Sequence, residues 1–421
     1  MVNQLVGLFR VVRNRVSGFR DKGYSTRKNG RVTASLSLNQ GLPVTPEENR
    51  QLIKRMLQHL TAGTTDLAPQ SMVIPAEEFL CTERFQQERE QLFLDTPQVI
   101  AFSGELPGPN TYLAATVLHI PVLVTRLEDG SLRAFLNACA HRGAPVAAGC
   151  GQAKRLTCKF HGWSYGLNGC LAGRRSESSF DDVTASTDLV PLPVAERCGL
   201  IVVGARTSVS QHWVDTALAD IEPAMTGFNL EQAVPVGSYR YEAKANWKLV
   251  AGLSHEAYHF ASVHRDSLAS LMYDKAVVDT FGRHTRWAFA FRGAEKLADQ
   301  DPELWPDQFP GAMNHTLFPG TVIVVNNDDA EMIRVEPGSS PGESVIYYSG
   351  VSRHPDNLEG CREAFEFGGK LFTEEDLPAA EASQRGLAAG LPSVIVGRNE
   401  PVVQFWHQLW NQELRKHQAA G

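Results

Sequence analysis

The chain of 421 residues has no apolar run approaching the length of a membrane span, so no helical span is expected. Cysteine is scarce. Seven in a chain this long do not make a disulfide scaffold, and they point to a reducing compartment with some thiols held as metal ligands. Positive charge is not in excess: 40 Lys and Arg stand against 47 Asp and Glu, and the net charge of −7 argues against nucleic acid as the main partner. Internal repeats and long low-complexity tracts are missing. What is present is globular, 43% hydrophobic and 21% charged, enough for a large core. The length predicts two or three domains.

The first 45 residues differ in texture. Arg10, Arg13, Arg15, Arg20, Lys22, Arg27, Lys28 and Arg31 face one acid, Asp21. This is read as a disordered basic extension of a cytoplasmic protein of bacterial type, with organelle targeting as the alternative. Two amphipathic helices are expected next, over 47–62 and 76–94. From Thr111 to Ala205 short apolar runs alternate with turn signals, among them Glu128-Asp129-Gly130, as in antiparallel β-structure. A helix is expected over 211–227, then a strand over 238–250. Three strands with polar turns follow between Thr321 and Ser352, and helices close the chain. The fold class is therefore α+β: a small all-β domain ahead of a larger domain with an antiparallel sheet and flanking helices. The divisions are 1–45, 46–235 and 236–421.

Two short stretches carry chemistry. Residues 139–161 contain a C-x-H pair, Cys139 and His141, and a C-x-x-H pair, Cys158 and His161. Each pair sits where a strand should end in a tight turn, beside Gly143 and Gly162. Two centres accept two thiolates and two imidazoles: tetrahedral structural zinc, or a [2Fe–2S] cluster of Rieske type. Zinc fingers pair Cys with Cys and His with His, whereas each tip here mixes the two, so the spacing favours the cluster. The second stretch is HEAYHFASVH, His255 to His264. His255, Glu256 and His259 fit the zinc-peptidase pattern H-E-x-x-H. His259 and His264 could instead join an acid in the two-histidine, one-carboxylate triad of non-haem Fe(II) enzymes. On a regular helix the first pair converges and the second does not. The first constellation argues the other way, because a cluster ligated entirely by protein has no open position for substrate and implies a second centre.

CAHRGAPV and CKFHGWSYGLNG, with Asn246-Trp247-Lys248-Leu249 and Glu256-Ala257-Tyr258-His259 ahead of His264, resemble the terminal oxygenase (alpha) subunits of Rieske non-haem iron ring-hydroxylating oxygenases. Ala144 and Phe160 stand where respiratory Rieske proteins have disulfide cysteines. The resemblance implies cluster ligation by Cys139, His141, Cys158 and His161, and Fe(2+) ligation by His259 and His264. It implies that Glu256 bridges the iron site to a Rieske histidine of a neighbouring subunit in a trimer or larger ring. The third iron ligand is sought among Asp328, Asp329 and Asp376. Asp376 is chosen, because the family's E-D…E-x-x-Q pattern is matched by Glu381 and Gln384, and it is expected to open a helix. Also implied are O₂, electrons from NAD(P)H through a reductase, with or without a ferredoxin, and an organic substrate of aromatic kind. Gly252-Leu253-Ser254 and His255 depart from the family pattern. Trp287, Phe289 and Phe291 alternate and share one face of a strand; with Phe260 they could line a pocket. The alternative is a zinc peptidase using His255, Glu256 and His259, with a separate structural zinc site.

Overall fold

The computed structural model describes residues 46–420. The basic extension 1–45, and its expected disorder, lie outside the described residues. Two units of different character follow one another. The smaller is all β. Strands Pro191–Leu192, Leu132–Leu136, Ile120–Arg126, Thr111–Val117 and Cys150–Gln152 form an antiparallel sheet in that order. Its apolar face is shared with the sheet of Val194–Arg197, Leu200–Gly204 and Pro97–Phe102, around Val122, Val124, Ile201 and Val203. A small sheet, Arg155–Thr157, Ser164–Gly166 and Leu171–Gly173, stands apart and carries one of the two Cys/His tips. Gly130 closes the expected hairpin with φ 85°, where an L side chain is strained.

The larger unit is built on a seven-stranded antiparallel sheet, ordered Val234–Ala243, Ser344–Ser352, Asp329–Pro337, Thr321–Val325, Gly311–Leu317, His284–Phe291 and Met272–Phe281. Helices Trp247–Leu253, Leu358–Leu371, Leu377–Ala388 and Pro401–Ala420 flank it. They pack through Trp247, Phe365, Phe372, Trp406 and Trp410. The helix Pro46–Ala62 packs Leu52, Ile53, Met56 and Leu57 into a core shared with Val277, Ala288 and Ala290 of this same sheet. Strand Met72–Pro75 pairs with Ser393–Val396. The segment before the β-unit therefore lies on the C-terminal sheet. The two units are joined through Glu336, which accepts from Leu118 N at 2.9 Å, and Arg334, which donates to Thr116 O at 3.0 Å.

Three expected elements differ. The helix over 76–94 is broken at Cys81, which is extended (φ −70°, ψ 119°) and caps the next helix through its thiol. The helix over 211–227 becomes Gln211–Thr216 and Glu222–Met225, the second opening on Pro223, which fits a first turn but not an interior. The strand over 238–250 stops at Ala243, because Asn246 caps a helix by accepting from Lys248 N at 3.0 Å.

Candidate functional site

The two mixed tips have the same backbone closure despite their different spacing. Gly143 N donates to Cys139 O at 2.8 Å, and Gly162 N to Cys158 O at 3.0 Å. Cys139 N donates to Ala144 O at 2.8 Å, and Cys158 N to Trp163 O at 2.9 Å. Both glycines have positive φ, 77° and 78°, as this turn requires. The equal loops present Cys139 and Cys158 to the interior, buried, and His141 and His161 outward with ring centroids 4.5 Å apart. His141 stacks on Trp163 at 5.0 Å. Tyr165 Oη accepts from Ala140 N at 3.0 Å and lies 3.2 Å from Cys139 Sγ. Among the described residues, no three of these four donors gather within 4.8 Å of one another, as the ligands of one tetrahedral zinc would. Buried sulfurs behind and imidazoles in front suit a two-iron cluster with one pair of ligands on each iron.

The stretch 246–264 is not one helix. Trp247–Leu253 ends at Ser254, and a separate 3-10 turn runs over Tyr258–Ala261. That break separates His255 from His259, which a continuous helix would have brought together. His255 is instead 1% exposed, lies in the core with its ring stacked on Trp406 at 5.6 Å, and is pushed down to about 3 by burial and then by His407. The peptidase triad His255, Glu256 and His259 is thus not assembled.

His259 and His264 converge with Asp376 instead. One donor atom from each lies within 4.8 Å of the others, and this is the one such group among the described residues. Asp376 Oδ1 is 3.5 Å from His259 Nε2 and 3.1 Å from His264 Nε2, yet it makes no well-angled hydrogen bond. Three donors aimed at a common point, with a buried oxygen unsatisfied between them, fit a metal ion. Two further carboxylates fix the rings from behind. His259 Nδ1 is 2.5 Å from Glu256 Oε1, and Glu256 Oε2 accepts from His259 N at 3.0 Å. His264 Nδ1 is 2.7 Å from Glu375 Oε2, which also accepts from Ser267 Oγ at 2.7 Å. With each Nδ1 tied, each Nε2 is left for the metal. Burial pushes Asp376 up, but the His259 and His264 imidazoles outweigh it and hold the carboxyl below its ordinary range. Burial lowers His259, but Asp376 and Glu256 outweigh it and raise the ring to about 9.

Asp376 does not open a helix. It ends a wide turn, Phe372–Asp376, that interrupts the long helical run between Leu358–Leu371 and Leu377–Ala388. Such bulges re-aim side chains and recur at functional sites. Asp328 stays in its turn, held by Asn357 at 2.9 Å, and Asp329 opens the strand Asp329–Pro337, held by Asn326 at 2.8 Å. Glu381 and Gln384 accept from the amides of Lys244 and Asn246, both at 3.0 Å, and so hold the start of the histidine-bearing segment. The Asn-Trp-Lys run anchors it further: Trp247 Nε1 and Lys248 Nζ both bind the buried Glu88, at 2.8 and 2.7 Å. Glu375 and Glu88 were not singled out from sequence. An acid directly before the ligand acid was the one available signal for Glu375.

A cavity of about 200 Å³ opens on the triad, lined by rings that include Phe260, Trp287, Phe289 and Phe291. The alternating aromatic stripe therefore faces a pocket.

Residues 96–186 match the family model of the Rieske [2Fe-2S] domain, and residues 230–416 that of the ring hydroxylating alpha subunit (catalytic domain). The oxygenase subunit of carnitine monooxygenase from Acinetobacter baumannii is 28% identical over 326 residues, covering 73% of this chain and 83% of that protein. The oxygenase subunit of glycine betaine monooxygenase from Pseudomonas aeruginosa is 28% identical over 250 residues, 59% of this chain and 55% of that one. Among solved structures, a quaternary ammonium Rieske monooxygenase in complex with L-carnitine superposes with TM-score 0.70 at 22% identity, over 83% of this chain and 96% of the other. Naphthalene 1,2-dioxygenase superposes with TM-score 0.65 at 18% identity, over 83% and 93%. These structural likenesses speak to the fold.

Proposed function

The chain belongs to the ring-hydroxylating oxygenases, as an alpha subunit with a Rieske [2Fe–2S] domain and a catalytic iron domain, and on that premise we propose that it oxygenates a small quaternary ammonium compound. It is an oxidoreductase of the terminal oxygenase kind, using a [2Fe–2S] cluster, Fe(2+) and electrons from a partner reductase. The observation that carries the reading is the convergence of His259, His264 and Asp376 on the wall of a cavity lined largely by aromatic and apolar side chains. The names of the relatives favour carnitine-like, betaine-like or choline-like compounds over the aromatic hydrocarbon expected from the family at large.

In this reading Cys139, Cys158, His141 and His161 hold the cluster, and His259, His264 and Asp376 hold Fe(2+). The ferrous ion supplies O₂ activation, and the cluster supplies the electrons for it. The chain's own part is orientation and exclusion. Glu256 and Glu375 keep both imidazoles in the tautomer that leaves Nε2 free. Phe260, Trp287 and Phe289 keep water from the reacting centre. Glu256 also borders a second cavity, of about 170 Å³, beside Tyr258, which is 65% exposed. The exposed His161 of another copy is assigned to that mouth, with Glu256 as the hydrogen-bonded link between the centres in a ring of subunits. Residues 46–94, which pack on the large sheet, are assigned with 236–421 to the catalytic unit.

Purified protein should be red-brown and contain about three irons per chain, with no stoichiometric zinc. Colourless protein containing zinc would overturn the assignment.

A further inference from the structure

Past the strand Leu171–Gly173 the chain folds back toward the first Cys/His tip. Ser176, in the left-handed region at φ 53°, turns it, and the 3-10 turn Glu177–Phe180 follows, with Ser179 N donating to Ser176 O at 2.9 Å. The return brings Phe180 edge-on to His141 at 5.9 Å and to Trp163 at 5.3 Å. Trp163 is buried and shares a core with Cys139 and Cys158, and Phe180 packs against that core. Arg174 lies over both rings, its guanidinium carbon 5.3 Å from the Trp163 centroid and 4.8 Å from that of Phe180. The Arg174 side chain is only 10% exposed, and its ion partner is Glu177, 3.0 Å away and 64% exposed.

The second tip is built differently. His161 meets the ring of Phe160 at 3.9 Å, Phe160 is exposed, and so is Arg142, the arginine over it. Water and salt screen that charge. Arg174 has rings beside it and little water, so its field is weakened less. Ring faces attract a guanidinium, and contact with two of them fixes where the charge sits. A Rieske cluster gains one negative charge on reduction, and its potential follows net charge and solvent exposure. A cation held on the wall of His141 therefore favours the reduced form.

Resting on the reading of these tips as a [2Fe–2S] site, we propose that Arg174 is a positioning residue for the electron-transfer centre. Clamped on Trp163 and Phe180, it keeps the wall beside His141 shut, and its charge raises the potential of the cluster. Glu177, on the solvent side, holds the guanidinium in place and offsets part of that charge.

The test is an anaerobic redox titration of the purified holoenzyme against mediator dyes, at one pH and one ionic strength, with the cluster followed by its visible absorption. Arg174→Met keeps an unbranched side chain over the rings and removes the charge. It should lower the potential by about 59 mV, a tenfold fall in the equilibrium constant for one-electron reduction. Arg174→Lys, which keeps the charge, should stay within about twofold of the natural protein in that constant. Glu177→Gln leaves Arg174 unopposed and should raise the constant about two- to threefold. The sign separates charge from packing. A wall that merely came loose would admit water, which favours the more highly charged reduced cluster and would raise the potential in Arg174→Met. A rise or no shift in Arg174→Met overturns the proposal, as does a fall or no shift in Glu177→Gln, or an Arg174→Lys protein that behaves like Arg174→Met. Should Arg174→Met fail to keep its cluster, Glu177→Gln, changed at an exposed residue, decides alone by the same signs. The colour of the natural protein separates the two levels. A red-brown protein whose variants fail the titration loses only the role of Arg174, whereas a colourless one loses the cluster reading beneath it.

Discussion

Three carboxylates meet the two imidazoles of the proposed iron site. Asp376 faces both Nε2 atoms, while Glu256 and Glu375 each hold an Nδ1. Removing a carboxylate behind a ligand usually costs about 10–100-fold in metal affinity or activity. Glu375→Gln is expected to weaken iron retention by that order, read by iron content after dialysis against a mild chelator, with the cluster spectrum unchanged. Glu256→Gln is expected to weaken iron retention by the same order and, once reloaded with iron, to slow reoxidation of the reduced cluster by about 10–100-fold in a single-turnover mixing experiment, which reloaded Glu375→Gln should not do. Equal reoxidation rates in the two reloaded variants would refute the separate roles. Lys248 makes a different kind of contribution. It is buried against Glu88, and burial lowers its pKa, opposed by that same carboxylate. Lys248→Met leaves Glu88 buried with Arg84, at 3.0 Å, as its remaining cation, and should destabilise by about 1–3 kcal/mol, seen as a lower urea midpoint.

At the scale of elements, the site depends on two irregularities. The chain leaves the helix at Ser254, which parts His255 from His259, and the helical run widens over Phe372–Asp376, which turns Asp376 toward the histidines. A regular helix advances about 100° per residue, so deleting Thr373 should rotate everything before it relative to Asp376. The expected result is a folded, red-brown protein that no longer holds the third iron. Retention of that iron would show the bulge to be incidental. The Cys/His tips were legible because ligands and glycines lie within a few residues of one another. The helix expected over 211–227 failed because Pro223 was outweighed by apolar spacing. The opening of a helix at Asp376 was expected from its acid-rich N-terminal flank. That flank instead continues a helix begun at Leu358.

At the scale of the molecule, burial sets the response to acid. His255 and His315 are held down at about 3, and His284 at about 4, each chiefly by burial. Their folded values lie below the unfolded value of about 6.5, so the unfolded chain binds more protons as pH falls. Their contribution is fully present above about pH 6.5 and is lost on acidification toward those folded values. Near pH 5 each such ring costs about 2 kcal/mol of stability. The unfolding midpoint should therefore drop steeply between about pH 6.5 and pH 5, and His255→Leu should make the drop shallower. An unchanged slope would mean that His255 is protonated in the fold. No helix among the described residues is long and apolar enough to cross a membrane.

The sequence alone determined what depends on near neighbours: the two mixed Cys/His tips, the close pair His259 and His264, the alternation that puts Trp287, Phe289 and Phe291 on one face, and the α+β class. Spacing of a few residues is geometry, because the backbone fixes what such neighbours can reach. The sequence preferred His264 to His255 as the partner of His259 through the resemblance, and the tertiary structure adds the physical reason, a helix that stops at Ser254. Only the tertiary structure brought Glu375 behind His264 across 111 residues. That meeting depends on how helices lie against a seven-stranded sheet, and that packing is a property of the whole core, which no local stretch encodes.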